Sequence, residues 1–232
     1  MTIPILAIRP EPGCSATVAA GRALGLTIEA YPLLEIRPVS WARPSGDFDG
    51  LLLGSANALR HGGPPVDKLV DKPVYAVGET TAEAANERGF AIARSGRGGL
   101  QDLLDSLAGQ RLNLLRLAGR ERAPLAPPSG ISIATAIVYE SLGLPLPVPL
   151  AERLNRGALV LLHSSGAARH FIAECDRLAV QRRDIRLAAL SPRIAEAAGS
   201  GWAALRSAGQ PNEAALLALA REMCHDLPRG MR

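Results

Sequence analysis

The sequence predicts an α/β protein made of two similar parallel-sheet lobes that are joined by a two-stranded β linker. Two observations predict this class: short apolar runs alternate with helical stretches, and the pattern recurs after about 110 residues. Strands that alternate with helices form parallel sheets covered on both faces, here in the flavodoxin-like or Rossmann-like manner. With 47% apolar but only 3% aromatic residues, the cores are filled by Leu, Ala, Val and Ile.

An internal repeat is the strongest signal in the chain. The matching segments are Leu52–Ser55 with Leu161–Ser164, Ala82–Ala85 with Ala195–Ala198, Gly89–Ser95 with Gly201–Ser207, and Leu103–Leu104 with Leu216–Leu217. Their spacing stays at about 109 to 113 residues. An ordered series of this kind is hard to obtain by chance. A period of this length indicates a domain duplication rather than a solenoid.

The first part of the chain reads as strand, helix, strand. These are Ile5–Ile8, Gly13–Leu24 ending at Gly25, and Thr27–Tyr31. Later strands are predicted at Gly50–Leu53, Pro73–Val77, Phe90–Arg94, Arg111–Leu117, Ile131–Ala136, Ala158–Leu162, Ile185–Leu190 and Trp202–Arg206. Helices are predicted at Ala82–Arg88 and Gly98–Leu107, and after Gly54, His163, Ser191 and Pro211. Ala123–Gly130 is a Pro-rich loop with little room for a helix, and Leu144–Pro149 is a second Pro-rich patch.

Two extended stretches, Pro32–Pro38 and Ile137–Gly143, are predicted to carry the chain out of one lobe and back. Each carries a glutamate ten residues after a Gly, Glu35 and Glu140. We expect the stretches to pair as a hinge, with Tyr139 facing the cleft. Lobe one then comprises residues 1–33 plus 142–232, lobe two comprises residues 40–136, and the linker strands are 34–39 and 137–141.

Composition argues against several classes of protein. The net charge is +4, but the 24 arginines are scattered and no aromatics interleave with them, so a nucleic-acid partner is not expected. Three distant cysteines without a CxxC motif argue against disulfides and zinc, and they fit a reducing cytosol. No signal peptide or membrane span is evident, so no membrane association is expected. GxGxxG and GxxxxGK[ST] are both absent, which excludes dinucleotide and P-loop sites.

Small hydroxyl residues stand at four predicted helix starts, where the preceding strands end. They are Ser55, Thr80 with Thr81, Ser164 with Ser165, and Ser191, and Asn57 lies in the first of these turns. In open α/β sheets ligands bind at the carboxyl ends of the strands, and helix N-termini hold anions. Helix capping alone would also explain each residue. Both interpretations stay open.

Five further residues are candidates for chemistry. Arg9 and Arg116 are predicted to stand at matching strand ends, one in each lobe. Each is either a ligand for an anion or a member of a surface ion pair. Tyr139 is either a buried hinge residue or a proton donor to a leaving group. Glu35 and Glu140 are either a carboxylate pair or solvated hinge residues. No histidine pair has zinc-type spacing.

The ordered motifs resemble the uroporphyrinogen-III synthase family over nearly the whole chain. The resemblance is carried by Ile8–Pro10, Pro32–Leu34, Phe48–Ala58, Tyr75–Ala82, Val138–Glu140, Leu161–Gly166 and Ala189–Ala195. The turn Ser191–Ile194 departs from the family, whose members often have threonines there. Gly54 stands where a hydroxyl residue is common.

The resemblance implies a cytosolic enzyme of tetrapyrrole biosynthesis, a hydro-lyase with two α/β lobes on a β ladder. It would take hydroxymethylbilane, lose water, close the macrocycle and invert ring D through a spiro intermediate. No metal or organic cofactor is implied. By resemblance, Tyr139 assists departure of the hydroxyl, and the family's cleft hydroxyls fall on Ser55, Thr81, Ser165 and Ser191.

The expected partner is a small molecule, the linear tetrapyrrole polycarboxylate. The protein is expected to act as a monomer. A transient contact with the preceding enzyme of the pathway is the protein–protein contact considered. Two alternatives remain open from the residues alone. One is a non-catalytic, two-lobed cytosolic sensor of an anionic metabolite. The other is a phosphosugar-type transferase or isomerase, which would need a general base that no histidine convincingly supplies.

Overall fold

The computed structural model describes residues 3–96 and 98–225, which form two compact units. Unit 1 comprises the described residues of Met1–Glu35 and Leu142–Arg232, and unit 2 is Ile36–Ser141. The chain passes between the units along two strands. These are β3 (Leu34–Pro38) and β8 (Ile131–Gly143).

Unit 2 alternates strands with short helices. Its elements before β8 are β4 (Gly50–Leu53), α2 (Asn57–His61), α3 (Pro64–Asp67), β5 (Val74–Val77), α4 (Glu79–Glu87), β6 (Ile92–Gly96), α5 (Leu100–Asp105) and β7 (Leu112–Gly119). Its sheet has the order β3-β8-β7-β4-β5-β6, and every pair from β8 to β6 is parallel. The segment 120–130 contains no helix, as its prolines predict.

Unit 1 is built from both ends of the chain. Its N-terminal elements are β1 (Ile5–Ala7), α1 (Gly13–Ala23) and β2 (Ile28–Ala30). Its later elements are α6 (Val148–Leu154), β9 (Ala158–Leu162), α7 (Ser165–Arg177), a 3₁₀ turn (Arg182–Asp184), β10 (Ile185–Ala189), α8 (Pro192–Ala198), β11 (Ala204–Ser207) and α9 (Glu213–His225). They form a fully parallel sheet with the order β11-β10-β9-β1-β2.

The two sheets share one strand order, which explains the sequence repeat. Counted from β4, unit 2 reads 3-2-1-4-5, the order of the first five strands of a Rossmann sheet. Unit 1 reads the same when β9 is counted first and β1 and β2 take positions four and five. The predicted fold class is confirmed, and unit 1 is a circular permutation of the pattern in unit 2.

Buried strands with helices on both faces form the cores. Along β9 the side chains alternate between two clusters, with Val160 and Leu162 in one and Leu159 and Leu161 in the other. All four are 0% exposed. At about 25 cal/mol for each Å² of apolar surface buried, such two-sided strands are a large source of folding free energy.

The sequence analysis missed helix α6, because it treated Leu144–Pro149 as a Pro-rich patch. Pro147 is the N-cap of α6 and Pro149 lies in its first turn, where the backbone needs no intrahelical donor. Leu150, Ala151 and Leu154 bury the inner face of this helix. Prolines at these positions are compatible with a helix start.

Strand β8 is a single strand of 13 residues. It continues without a break from the predicted strand Ile131–Ala136 through the stretch predicted as a linker. Val39 donates its backbone N–H to the carbonyl of Val138, and Leu144 donates to Leu33. Residue numbers therefore rise on one strand as they fall on the other, so β3 and β8 are antiparallel.

Glu174 on α7 ties down the segment before α6. Its carboxylate accepts the backbone N–H of Leu146 at 2.6 Å and two guanidinium N–H groups of Arg177, the shorter at 2.6 Å. The Arg177 hydrogen bond comes first among the groups that lower the pKa of Glu174 to about 2, and it outweighs the effect of burial. Glu174 is therefore ionised throughout the neutral range.

We predict that Glu174→Gln destabilises the protein at pH 7 and that this effect disappears in acid. A folded pKa below the ordinary 4.5 stabilises the fold above pH 4.5, and the contribution is lost as the pH falls towards 2. Urea unfolding at pH 7 and pH 3 measures this difference.

The control for this prediction is Glu222→Gln. Its carboxylate pairs with Arg206 on the surface, with 60% of the side chain exposed, so little change is expected. Equal destabilisation by Glu174→Gln at both pH values would contradict the assignment.

Candidate active site

Each sheet has a switch point, where the strand order reverses. In unit 2 this point lies between β4 and β7, and in unit 1 it lies between β9 and β1. Loops at the carboxyl ends of such strand pairs leave a crevice, because the following helices cover opposite faces of the sheet. Side chains that follow these strand ends can therefore meet a ligand.

Tyr139 lies on β8 with its ring across the end of β7. A β-carbon added at Gly119 would lie 2.7 Å from Cε2 and 3.1 Å from the hydroxyl oxygen of Tyr139. The parallel register shifts between Ala118 and Gly119, which brings Gly119 opposite Tyr139. Because residue 119 has no side chain, the half-buried tyrosine ring can occupy this position.

The Tyr139 hydroxyl forms no hydrogen bond with any residue in the described ranges. The ring of His61 lies beside it, with the ring centroids 6.5 Å apart. Burial, and then the charge of Arg60, lower the pKa of His61, so this imidazole is neutral at pH 7. Tyr139 therefore presents a hydroxyl without a described partner beside an uncharged imidazole.

Arg116 does not stand at a strand end, which corrects the predicted match with Arg9. It lies inside β7 and is 7% exposed. Leu52 pairs with Arg116, whereas its repeat counterpart Leu161 pairs with Ala7. The counterpart of Arg9 is therefore Ala118, two residues beyond Arg116 on the same face of the strand.

The Arg116 guanidinium is only partly hydrogen-bonded. Nη1 donates to the carbonyl of Ala123 at 3.0 Å, while Nε is buried without a partner. Burial, and then the neighbouring charge of Arg122, lower the pKa of Arg116. The pKa of a free guanidinium is so high that the group still carries its charge at neutral pH.

In unit 1, Arg9 is held by an ion pair that the sequence analysis did not foresee. Its Nη1 lies 3.2 Å from Oε2 of Glu213, the first residue of α9. Thr17, which is fully buried, donates its hydroxyl to the same carboxylate at 2.6 Å. His163, at the end of β9, lies 3.1 Å from it through Nε2. We name these four residues the unit 1 polar cluster.

The charges in the unit 1 polar cluster are balanced. Burial opposes ionisation of Glu213, but hydrogen bonds from His163 and Thr17 and the charge of Arg9 keep the pKa of this carboxyl below its ordinary value. Burial also lowers the pKa of His163, against the pull of Glu213, so the imidazole is neutral at pH 7. Arg9 therefore has its own carboxylate partner.

The candidate hydroxyl residues differ in how far local structure already uses them. Ser164 caps α7 by accepting the N–H of Ala167 at 3.1 Å, and Ser55 accepts the N–H of Asn57 at 3.2 Å. Ser191 occupies the N-cap of α8 without a side-chain hydrogen bond. Capping accounts for the hydroxyl of Ser164, and a hydrogen bond within the turn before α2 accounts for that of Ser55.

The remaining hydroxyls differ in exposure. Thr80 is exposed at the start of α4, whereas Thr81 is only 5% exposed. The hydroxyl of Ser165 is buried and has no hydrogen-bond partner within the described residues. Glu140 pairs with Arg120 at 2.8 Å, so it is engaged on the surface of unit 2.

Sequence reasoning missed Glu213, Thr17 and Gly119. Glu213 lies 204 residues from Arg9, and only the circular permutation of unit 1 brings them together. One available signal was the repeat, which aligns His163 with Gly54 and so marks a polar side chain that unit 2 lacks. Among the described residues, no cluster of His, Cys, Asp and Glu is arranged to hold a metal ion.

This fold defines a two-unit α/β protein in which each unit has a predominantly parallel sheet with a switch point of the kind at which such sheets bind ligands. A family model, HEM4, described as uroporphyrinogen-III synthase HemD, matches residues 15–218. The chain therefore belongs to the uroporphyrinogen-III synthase family. No curated protein was found to match it.

Two solved structures have a similar fold. The crystal structure of uroporphyrinogen-III synthetase from Helicobacter pylori has a TM-score of 0.61 and 19% identity, covering 95% of this chain and 99% of that one. A mutant uroporphyrinogen III synthase from Thermus thermophilus has a TM-score of 0.56 and 15% identity, covering 96% of this chain and 100% of that one. At these identities the likeness shows the fold alone.

We predict that Gly119→Ala displaces the ring of Tyr139. The new methyl group would overlap the ring, so the side chain or the strand must move, at a cost of about 1–3 kcal/mol in the free energy of unfolding. NMR spectra of the Tyr139 ring, assigned with Tyr139→Phe, would show a shifted resonance. The control is Gly209→Ala, because an added β-carbon there has no atom within 4 Å. An unchanged Tyr139 resonance would contradict the packing described above.

Proposed function

We propose that this protein is a uroporphyrinogen-III synthase that converts hydroxymethylbilane into uroporphyrinogen III. The substrate loses its terminal hydroxyl as water, the macrocycle closes, and ring D is inverted. The observation that carries this proposal is the family match over residues 15–218. A proton-donor role for Tyr139 is supported by its hydroxyl, which has no hydrogen-bond partner among the described residues and lies beside Gly119.

Tyr139 is the proposed catalytic residue. Its phenol would donate a proton to the departing hydroxyl, so that water leaves and a stabilised pyrrole cation remains. Proton transfer of this kind accelerates a step by about 10²–10⁴-fold. Because the substrate can ionise at its own pyrrole-stabilised centre, the protein mainly fixes the geometry of ring closure.

The proposed substrate-binding residues are anion ligands from both units. They are Arg9, Ser55, Asn57, Thr80, Thr81, Arg116, Ser164, Ser165 and Ser191. Backbone N–H groups at the starts of α4 and α7 add positive potential for carboxylates. Arg116 and Ser165 carry the strongest structural support, because each has a buried polar atom without a partner among the described residues. The substrate carries eight carboxylates, so distributed ligands suit it better than one clamp.

The setting of the reaction is part of the same proposal. We propose that the protein acts in the cytoplasm as a monomer, with a transient contact to the enzyme that supplies its substrate. The three free cysteines fit a reducing compartment. No described helix is long and apolar enough to cross a bilayer. The alternative of a non-catalytic sensor of an anionic metabolite has no support from the family match.

We predict that Tyr139→Phe lowers turnover by about 10²-fold without abolishing it. The variant keeps the ring and its packing but loses the hydroxyl group that would donate the proton. A steady-state assay that separates the inverted from the uninverted isomer measures both the rate and the background of uncatalysed closure.

The matched control for this prediction is Tyr75→Phe. Tyr75 is also a tyrosine of unit 2 but is 8% exposed in a core cluster, so wild-type turnover is expected. Wild-type rates in Tyr139→Phe would remove this residue from the mechanism.

A further inference from the structure

Arg116 is a buried cation that has no acidic partner among the described residues. It is 7% exposed, and its guanidinium contacts no carboxylate in residues 3–96 or 98–225. The nearest charges that act on it include Arg122, which is also positive. Removing a charge from water is costly unless a partner of opposite charge replaces the lost hydration. This site therefore needs an explanation beyond folding.

Other partly buried arginines of this chain do have partners. Arg9 pairs with Glu213, Arg88 with Asp67 and Arg153 with Glu29. Their side chains are 28% to 35% exposed, so they lie closer to water than Arg116 does. The least exposed arginine of this group is thus the one without an acid.

The edge of the Arg116 guanidinium that makes no hydrogen bond with a described residue is complementary to a carboxylate. Nη1 is occupied by the carbonyl of Ala123, whereas Nε is buried without a partner and Nη2 makes no hydrogen bond with a described residue. Nε–H and one N–H of Nη2 point the same way and accept the two oxygens of a carboxylate side-on. A single water cannot satisfy both donors and also neutralise the charge.

Arg116 and the proposed catalytic residue lie in the same unit. Arg116 is on β7, and Tyr139 lies opposite Gly119 at the end of that strand, where it acts electrostatically on the guanidinium. A substrate that meets Tyr139 is therefore bound by the unit that also carries Arg116.

We infer that Arg116 binds one substrate carboxylate side-on, through Nε and Nη2. The carboxylate is the counter-ion that the described residues do not supply to this guanidinium. Arg116 is then a substrate-binding residue whose burial costs stability in the absence of ligand. This inference rests on the proposed function for the identity of the carboxylate donor.

The inference predicts opposite effects of one substitution on stability and on binding. Arg116→Met removes the unpaired charge but keeps a side chain of similar length, and the carbonyl of Ala123 lies on the exposed loop, where water can replace the lost donor. We expect the unfolding midpoint to rise by about 2–4 °C. We expect KM for hydroxymethylbilane to rise about 10- to 100-fold, with a smaller effect on kcat.

Two further variants make the test specific. Arg116→Lys keeps the charge but cannot form a side-on fork, so its KM should fall between those of wild type and Arg116→Met. Arg88→Met removes an arginine that is paired with Asp67 and donates to the carbonyl of Leu59. This control should lower the unfolding midpoint and leave KM unchanged.

Binding is also measured without turnover, by fluorescence titration with uroporphyrin, an oxidised macrocycle that carries eight carboxylates. Weaker uroporphyrin binding by Arg116→Met than by the wild type supports the inference, whether or not the wild type shows synthase activity. An absence of synthase activity in the wild type would contradict only the proposed function. A lower unfolding midpoint in Arg116→Met, or unchanged uroporphyrin affinity, would overturn the inference whatever the activity.

Discussion

The parallel pairing of β7 with β8 is the constraint on which the unit 2 site depends. One strand of 13 residues carries the chain out of unit 2 and also forms part of its sheet. Its register against β7 places Tyr139 opposite Gly119, and the shift after Ala118 sets that alignment. A one-residue slip would turn Tyr139 to the other face of the sheet and bring Val138 out of the core. The position of the proposed proton donor is therefore fixed by backbone hydrogen bonds.

The two units show how a duplicated sheet can acquire different chemistry. Strand order is the same in both, and the equivalent strands β1 and β7 are each associated with an arginine, Arg9 just after β1 and Arg116 inside β7. In unit 1 the arginine is neutralised by Glu213, within a cluster that also engages Thr17 and His163. In unit 2 the arginine stands two positions earlier on its strand, and no described residue places an acid beside it. Among the described residues, the same framework thus holds one cation with an acidic partner and one without.

Periodicity and the internal repeat were enough to predict the fold class and most elements. Short apolar runs bounded by Gly and Pro locate the strands within about two residues, because burial on both faces demands continuous apolar side chains. Helix α6 was missed because its prolines resemble loop residues, although they stand where a helix begins. Local pattern cannot separate these two cases.

The contacts of the candidate site were less predictable than the fold. The sequence indicated the strand-end hydroxyls, but it could not show that Thr81 is turned inward or that Ser164 is used as a cap. The ion pair of Arg9 with Glu213 joins residues at opposite ends of the chain, and no spacing rule links them. Burial of Arg116 within β7 depends on strand boundaries, which are the least certain part of any sequence-based assignment.

The circular permutation of unit 1 has a consequence for biosynthesis. Unit 2 is contiguous, so its residues can all leave the ribosome and condense before synthesis ends. The segment containing β1, α1 and β2 emerges first but pairs with β9, about 150 residues later in the chain. Until β9 is translated, β1 can pair with β2 but lacks its partner on the other side. Nascent chains that stall after unit 2 has left the exit tunnel, but before β9 has, would carry a folded unit 2 and a β1 edge that is open to chaperones.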